Sequence, residues 1–285
     1  MDPVEQPGKL YLVATPIGNL GDISIRASQI LREADFIAAE DTRVTRKLLT
    51  HLNLKKQIIS YHQHNSVQSG DAIIARILSG ESCALVTDAG VPGISDPGED
   101  LVILCSEAGI DITVIPGPCA AITALAASGL STGRFTFEGF LSTARKSRFE
   151  RLTELKNEKR TMVFYEAPHK LLRTLQDILQ VFGDRRIAIS RELTKIYEET
   201  LRCTLLEALL HFENTPPRGE FTLVVEGLRE QCVPEVNLND ALLAARKLID
   251  QGLSVKESVK KTSDLTGVPK NALYRAVVSQ PAHSS

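Results

Sequence analysis

Four short polar stretches carry residue types that suit ligand chemistry. They are Thr15-Pro16-Ile17-Gly18-Asn19-Leu20-Gly21-Asp22, Glu40-Asp41-Thr42-Arg43, Tyr61-His62-Gln63-His64-Asn65 and Thr87-Asp88-Ala89-Gly90-Val91-Pro92-Gly93-Ile94-Ser95-Asp96-Pro97-Gly98. The last places three glycines and two prolines in twelve residues. Such a backbone is stiff, and its amides and carbonyls can approach a ligand closely, as a nucleoside site requires; the plainer alternative is a long connection made of turn residues. His62-x-His64 could open a metal site, yet no further ligand cluster and no His-Glu-x-x-His stands near it, so no metal is expected. Neither a Gly-x-Gly-x-x-Gly fingerprint nor a Walker lysine loop occurs, which argues against nicotinamide cofactors and nucleotide hydrolysis. The five cysteines (Cys83, Cys105, Cys119, Cys203, Cys232) are scattered without Cys-x-x-Cys or zinc-type spacing and read as reduced thiols with packing roles.

The polar stretches follow apolar runs that must position them. Runs of strand type at 9–14, 35–39, 57–60, 82–87 and 111–115 alternate with helical patterns near 24–32, 42–49, 67–78 and 99–108. Strands separated by helices of this length imply βαβ units and a mostly parallel sheet covered on both faces. Cys83-Ala84-Leu85-Val86 has the unbroken apolar character of a strand buried on both sides. In such a sheet ligands bind beyond the carboxyl ends of the strands, so the four polar stretches should converge on one edge.

Pro116-Gly117-Pro118 interrupts the alternation, and a small-residue helix at 120–127 follows. Beyond it the pattern predicts strand 135–140, helix 147–156, strand 161–165, helix 170–181, strands 186–190 and 197–202, helix 205–211 and strand 220–226. Successive strands with no helix between them indicate a mixed sheet. The polar stretch 229–239, with Pro234, reads as a linker. Three helical patterns follow at 240–250, 255–265 and 270–278. Between the last two, Thr266-Gly267-Val268-Pro269 fits a helix-turn-helix, because Gly permits the tight turn and Pro starts a helix well. The expected class is α/β: an N-terminal domain over 9–117 on a mostly parallel sheet, a second α/β domain over 118–228 on a mixed sheet, and a small helical, helix-turn-helix-like module over 238–280.

The 285 residues are 43% hydrophobic and 24% charged with a formal net charge of −2, ordinary for a globular chain of about two domains, and they exclude a wholly basic nucleic-acid binder. From Val233 onward seven Lys/Arg face five Asp/Glu, or +2, leaving −4 (26 against 30) on the first 232 residues. That asymmetry suits an acidic-bodied enzyme with a mildly basic, RNA-touching appendage. The first apolar run, 10–14, is too short for a signal-peptide core or a membrane span of ~20 residues, so a cytoplasmic protein without membrane association is expected.

One ordered set of motifs spans the chain: Ala14-Thr15-Pro16-Ile17-Gly18-Asn19-Leu20, Ala39-Glu40-Asp41-Thr42-Arg43, Thr87-Asp88-Ala89-Gly90-Val91-Pro92, Asp96-Pro97-Gly98, Pro116-Gly117-Pro118-Cys119-Ala120, Arg191-Glu192-Leu193-Thr194-Lys195 and Gly219-Glu220. Over residues 9–278 this set resembles the tetrapyrrole methylase superfamily, and within it the bacterial ribosomal RNA small subunit methyltransferase I group. The resemblance implies a class III methyltransferase: two α/β domains with S-adenosylmethionine (SAM) folded into the cleft between them, homodimeric and needing no metal. Members of the closer group methylate the 2′-hydroxyl of a cytidine in the decoding region of small-subunit ribosomal RNA, so that RNA or the assembled small subunit is the implied partner. By family position Pro16, Asp88, Ala89, Gly90, Val91, Pro92 and Ile94, with Cys119 and Ala120, would line the cofactor through main-chain contacts. Glu166, Leu193 and Gly219 would close it from the second domain. The tetrapyrrole relatives have Gly-Asp-Pro where this chain has Gly90-Val91-Pro92, and Ser or Thr in place of Cys119; a backbone role survives both differences. Gly90→Val should then abolish cofactor binding by filling the space the glycine leaves.

A sulfonium is a good leaving group, so such a protein must chiefly align the nucleophile. A ribose hydroxyl is a weak nucleophile, and a group that accepts its proton would help. Asp41, His62, Glu192 and Lys195 are candidates, Lys195 only if burial or the neighbouring Arg191 lowers its pKa. Lys195 and Glu192 are the favoured pair; the plainer alternative is that Arg191, Glu192 and Lys195 form an ion-pair network holding the domains together. For RNA, Arg43, His62 and Asn65 suit phosphate or base edges, and Tyr165 offers either a stacking face or a core ring. Arg145, Lys146, Arg148 and Arg151 form a basic run or a solvated helix face. Lys256, Lys260, Lys261, Lys270 and Arg275 are the contacts expected of the terminal module, unless it is a packing or dimer-stabilising bundle. Two other functions compete: carbon methylation of a tetrapyrrole precursor, and non-catalytic RNA binding in ribosome assembly.

Overall fold

Short apolar runs that end in polar turns have one stable use when helices alternate with them, which is a parallel sheet sandwiched between helices. The computed structural model describes residues 8–62, 65–229 and 237–279; Gln63, His64, Cys232 and Pro234 lie outside the described residues. Strands β1 (Lys9–Val13), β2 (Phe36–Ala39), β3 (Gln57–Ser60), β4 (Cys83–Val86) and β5 (Asp111–Ile115) form a sheet of order β3-β2-β4-β1-β5. All its pairings are parallel. Helices α1 (Ile25–Glu33), α2 (Thr42–His51), α3 (Ser66–Leu78) and α4 (Gly98–Glu107) connect the strands. Alternation along the strands sorts the core by face. Leu10, Leu12, Phe36, Ala38 and Leu85 pack with Ile73 and Ile77 of α3 and Leu101 and Cys105 of α4. Val13, Ile37, Ala39 and Val86 pack on the other face with Ala27 and Leu31 of α1 and Leu48 and Leu49 of α2. Neighbouring strands β1 and β4 thus send their chains to opposite faces, and the divergence opens a crevice beyond their carboxyl ends.

After Pro116-Gly117-Pro118 the chain leaves this sheet. Helix α5 (Ala120–Ala127) packs instead on a second sheet, its Ala121, Ala124 and Leu125 against Val163, Ala188 and Val224. That sheet has the order β6-β7-β10-β8-β9, from β6 (Phe135–Phe140), β7 (Thr161–Glu166), β8 (Arg186–Arg191), β9 (Glu199–Thr204) and β10 (Phe221–Val225). β6 and β7 are parallel and the other pairings antiparallel. Helices α6 (Arg145–Leu155), α7 (Pro168–Phe182) and α8 (Leu205–Asn214) cover its far face around Phe164, Leu223 and Ile189. β9 starts at Glu199, two residues beyond the predicted 197. Glu192 and Thr194 hold left-handed backbone, and the Lys195 and Glu198 amides turn back onto Glu192 and Lys195.

The basic run on α6 splits. Arg148 is buried: its Nε donates to Asp177 Oδ2 of α7 at 2.6 Å and its Nη1 to the Ser142 and Thr143 carbonyls. Arg151 Nη2 pairs with Glu138 at 2.6 Å and Nη1 with Glu154 at 2.8 Å. Position in the helix turns Arg148 inward to α7, so neither a phosphate contact nor a solvated face describes it. Arg145 and Lys146 stay exposed.

The chain divides into two units, 1–228 and 229–285. The second unit holds α9 (Leu238–Asp250), α10 (Val255–Thr266) and α11 (Lys270–Ser279) around Ala241, Leu242, Ala245, Val259 and Leu273. Ser254 and Glu257 cap α10 reciprocally, and Gly267, left-handed at φ 72°, ends it. Among the described residues no helix is long and apolar enough to cross a membrane.

Candidate functional site

Three of the four polar loops meet at the β1/β4 crevice, tied together by hydrogen bonds. Thr15 and Gly90 exchange backbone bonds, Thr15 N to Gly90 O at 2.9 Å and Gly90 N to Thr15 O at 3.1 Å. Thr15 Oγ1 donates to the Thr87 carbonyl, and Thr87 Oγ1 to Glu40 Oε2 at 2.7 Å. The Asp41 amide donates to Asp88 Oδ1 at 3.1 Å, and Asp96 Oδ1 accepts from the Gly93 and Gly98 amides. Gly90 has φ 85°, a conformation that side-chain-bearing residues rarely adopt. A Cβ there would meet Ile17 Cγ2 and Pro118 O at 3.7 Å, an ordinary contact. Glycine is needed at position 90 for its dihedral; space alone would admit a methyl. The third loop stands apart, because β3 is the edge strand, two places from β4. There Asn65 Oδ1 accepts from the His62 amide and its Nδ2 donates to the Ser60 carbonyl.

The facing wall comes from the second sheet and α5. Together they enclose a cleft of about 410 Å³, a usual size for a small-molecule site. Of the residues expected around the cofactor, Asp88, Ala89, Gly90, Val91, Ile94, Cys119, Ala120, Glu166 and Leu193 line this cleft. Pro16, Pro92 and Gly219 are not among its lining residues, whereas Ile17, Glu40, Ser190, Glu220, Thr222 and Phe140 are. Gly219 is instead pressed against a side chain: a Cβ on it would lie 2.5 Å from Glu192 Cγ. Glu40, Ile17 and Glu220 stand inside the quoted motifs, beside residues picked from them, and Ser190 directly precedes one, so the motifs themselves carried the signal; Phe140 carries no sequence signal. Glu166 spends its carboxylate on structure, accepting from the Ala167 amide at 2.8 Å and Thr174 Oγ1 at 2.6 Å at the start of α7. Tyr165 Oη accepts from the Ala121 amide at 3.1 Å, and burial pushes its pKa up to about 12.

The favoured pair, Lys195 and Glu192, is engaged in ion pairs and is not among the residues lining the cleft. Lys195 Nζ lies 2.9 Å from Glu192 Oε1 and 3.0 Å from Glu220 Oε2. Partial burial disfavours its charge, but the two carboxylates outweigh burial and raise its pKa, so it stays an ammonium. Glu192 resists its own burial and is lowered by Lys195 and the Glu220 amide. With Arg191 paired to Glu199 at 3.6 Å, the network ties loop to loop; a Cβ on Gly18 of the first loop would touch Lys195 Cγ at 2.6 Å. Asp41 caps α2, and the Arg43 side chain and then the Arg43 amide hold its carboxyl at about 2. It does not line the cleft. By contrast, burial first and Glu40 second raise the pKa of Asp88, which does.

Of the RNA candidates, Arg43 is exposed but chelates Asp41, Nη2 to Oδ2 at 2.6 Å. Lys256, Lys260, Lys261, Lys270 and Arg275 are exposed on the helical unit, Lys270 beside Asp264 at 3.2 Å. Among the described residues no group of three or more His, Cys, Asp or Glu could hold a metal ion.

Residues 9–209 match the family model of the tetrapyrrole (corrin/porphyrin) methylases. The chain belongs to this family. Membership makes it a methyltransferase and implies SAM as the methyl donor. It is 47% identical to the ribosomal RNA small subunit methyltransferase I of Halalkalibacterium halodurans, over 95% of this chain and 94% of that one. Against the enzyme of the same name from Escherichia coli O157:H7 identity is 43%, over 96% of both chains. Solved tetrapyrrole methylases share the fold: cobalt precorrin-4 methyltransferase has a TM-score of 0.57 at 18% identity over 76% of this chain and 94% of that one. For the methyltransferase CobJ the values are 0.58 and 20%, over 77% and 94%. The cleft fits the donor. Its lining includes the small residues Ala89, Gly90 and Ala120, which let a ligand come close to the backbone, and the carboxylates of Glu40, Asp88 and Glu220, which suit a cationic sulfonium.

Proposed function

We propose that this protein methylates the 2′-hydroxyl of a cytidine in the decoding region of small-subunit ribosomal RNA, with SAM as donor. The observation that supports this over a tetrapyrrole substrate is extent. The ribosomal RNA small subunit methyltransferase I relatives align over 95% and 96% of the chain, which takes in most of the helical unit. The solved tetrapyrrole methylases align over 76% and 77%.

When bound, SAM supplies a methyl group on a sulfonium that departs readily. The backbone from Asp88 to Val91 and at Cys119 and Ala120 would hold it, with Ile17 and Leu193 as apolar walls. Lys195, Glu192 and Glu220 tie the loop after β8 to the turn before β10, beside Gly18 of the first loop. Asp88, a lining carboxylate whose proton affinity burial and Glu40 raise, would hold the proton of the incoming hydroxyl. Arg43, His62, Asn65, Arg145 and Lys146 on the α/β unit, and Lys256, Lys260, Lys270 and Arg275 on the helical unit, would meet RNA. The working enzyme would be a homodimer, which sedimentation can test.

Purified protein is incubated with labelled SAM and small ribosomal subunits, naked ribosomal RNA or a uroporphyrinogen-type substrate. Label on a ribose of the small-subunit RNA supports the assignment. Label on the tetrapyrrole alone, or on no substrate, overturns it.

A further inference from the structure

Phe140 is a large aromatic on the cleft wall that remains 55% exposed. Its orientation comes from a slip in strand pairing. β6 runs beside β7 with Phe137 opposite Val163; then Gly139, not Glu138, takes Phe164, and Phe140 takes Tyr165. In an unbroken strand Phe140 would share the face of Glu138, whose carboxylate turns to Arg151 of α6. One extra residue reverses the alternation and brings Phe140 onto the cleft side with Phe137. Gly139 makes the turn at φ 61°. A Cβ on it would lie 3.1 Å from Ser95 Oγ, and Ser95, itself left-handed at φ 64°, belongs to the glycine-proline loop of the first sheet.

The exposed ring is also backed. Its centroid lies 5.5 Å from that of Tyr165, and Tyr165 meets Phe137 edge-on at 5.1 Å. The Ala121 amide fixes the Tyr165 hydroxyl. The result is a rigid aromatic face, wet on one side, at the cleft that would hold the methyl donor.

We propose that Phe140 is the platform on which the base of the target nucleotide stacks while its ribose is presented for methylation. This rests on the assignment of an RNA ribose as substrate. A nucleotide drawn out of its helix loses its neighbours, and single-stranded RNA is recognised by laying unstacked bases on aromatic faces. Because every base has a π-face, Phe140 contributes positioning more than base choice.

The test measures methyl transfer from labelled SAM to small ribosomal subunits by wild type, Phe140→Ala and Phe140→Trp. The nucleotide that wild type labels is supplied with its base or abasic. Phe140→Ala should raise the KM for subunits roughly tenfold or more, Phe140→Trp should restore it, and calorimetric SAM affinity should not change. Removing the base should impair wild type and barely affect Phe140→Ala, a coupling that a merely structural ring would not show. Loss of SAM affinity in Phe140→Ala would make the ring a platform for the donor's adenine and overturn the proposal, as would equal sensitivity of both enzymes to base removal. If wild type labels no ribosomal RNA, the assignment and the platform fall together. If wild type labels it and Phe140→Ala is unimpaired, the platform alone falls.

Discussion

At the rim of the parallel sheet the cleft wall is backbone: Thr15 and Gly90 exchange amide bonds, and Asp96 pins the amides of Gly93 and Gly98. At the rim of the mixed sheet it is largely side chains, each held by another element: Tyr165 by α5, Glu166 by Thr174 of α7, Phe140 by a strand bulge. A backbone wall depends on a few dihedral angles and tolerates exchanged side chains, at Val91 and Cys119 among others. A side-chain wall depends on packing behind it, and it is where a change of substrate can be written without moving the donor.

That contrast predicts different losses on the two sides. The largest is Arg148→Ala, which strands the Asp177 carboxylate in the helical layer behind the mixed sheet. Denaturant unfolding should show about 3–5 kcal/mol of lost stability, with donor affinity of the folded protein unchanged. An unchanged midpoint would break the contrast. Gly90→Val should do the reverse. Forcing a branched residue into left-handed backbone costs ~1–2 kcal/mol or more, and calorimetry should find donor affinity down at least tenfold. Undiminished affinity would remove the backbone from the site.

Gly219→Ala should act more mildly. Its Cβ would push the Glu192 side chain, which can yield, away from Lys195, and the left-handed φ of 86° adds strain of ~1 kcal/mol. A thermal shift of a few degrees with the KM for RNA rising before the KM for SAM would place this network on the side-chain wall. The smallest effect is at the Asp41 cap. Its carboxyl is depressed to about 2, so its contribution to α2 is complete above the ordinary value of ~3.9 and is lost as pH falls through about 2. An NMR titration of the Asp41 carboxyl with a midpoint near the ordinary value would remove the Arg43 clamp.

The parallel half was legible because its signals are local: apolar runs such as Cys83-Ala84-Leu85-Val86, polar residues at their ends and glycines at the turns. The order of the mixed sheet, with β10 between β7 and β8, depends on long-range pairing that no short pattern encodes. The third polar loop reads like the other three but hangs from an edge strand. Arg148 looks like its basic neighbours until Asp177 is brought beside it from 29 positions away. Phe140 sits in a strand whose alternation predicts the opposite face, because the bulge at Glu138 is a tertiary choice.

The central claim is that one cleft between the two sheets holds the methyl donor on the backbone of Asp88 to Gly90 and of Cys119 and Ala120. A crystal structure of the protein with S-adenosylhomocysteine tests it most directly. The expected result is the ligand in this cleft with main-chain contacts from both segments; density for it elsewhere, or contacts confined to side chains of one sheet, would contradict the claim.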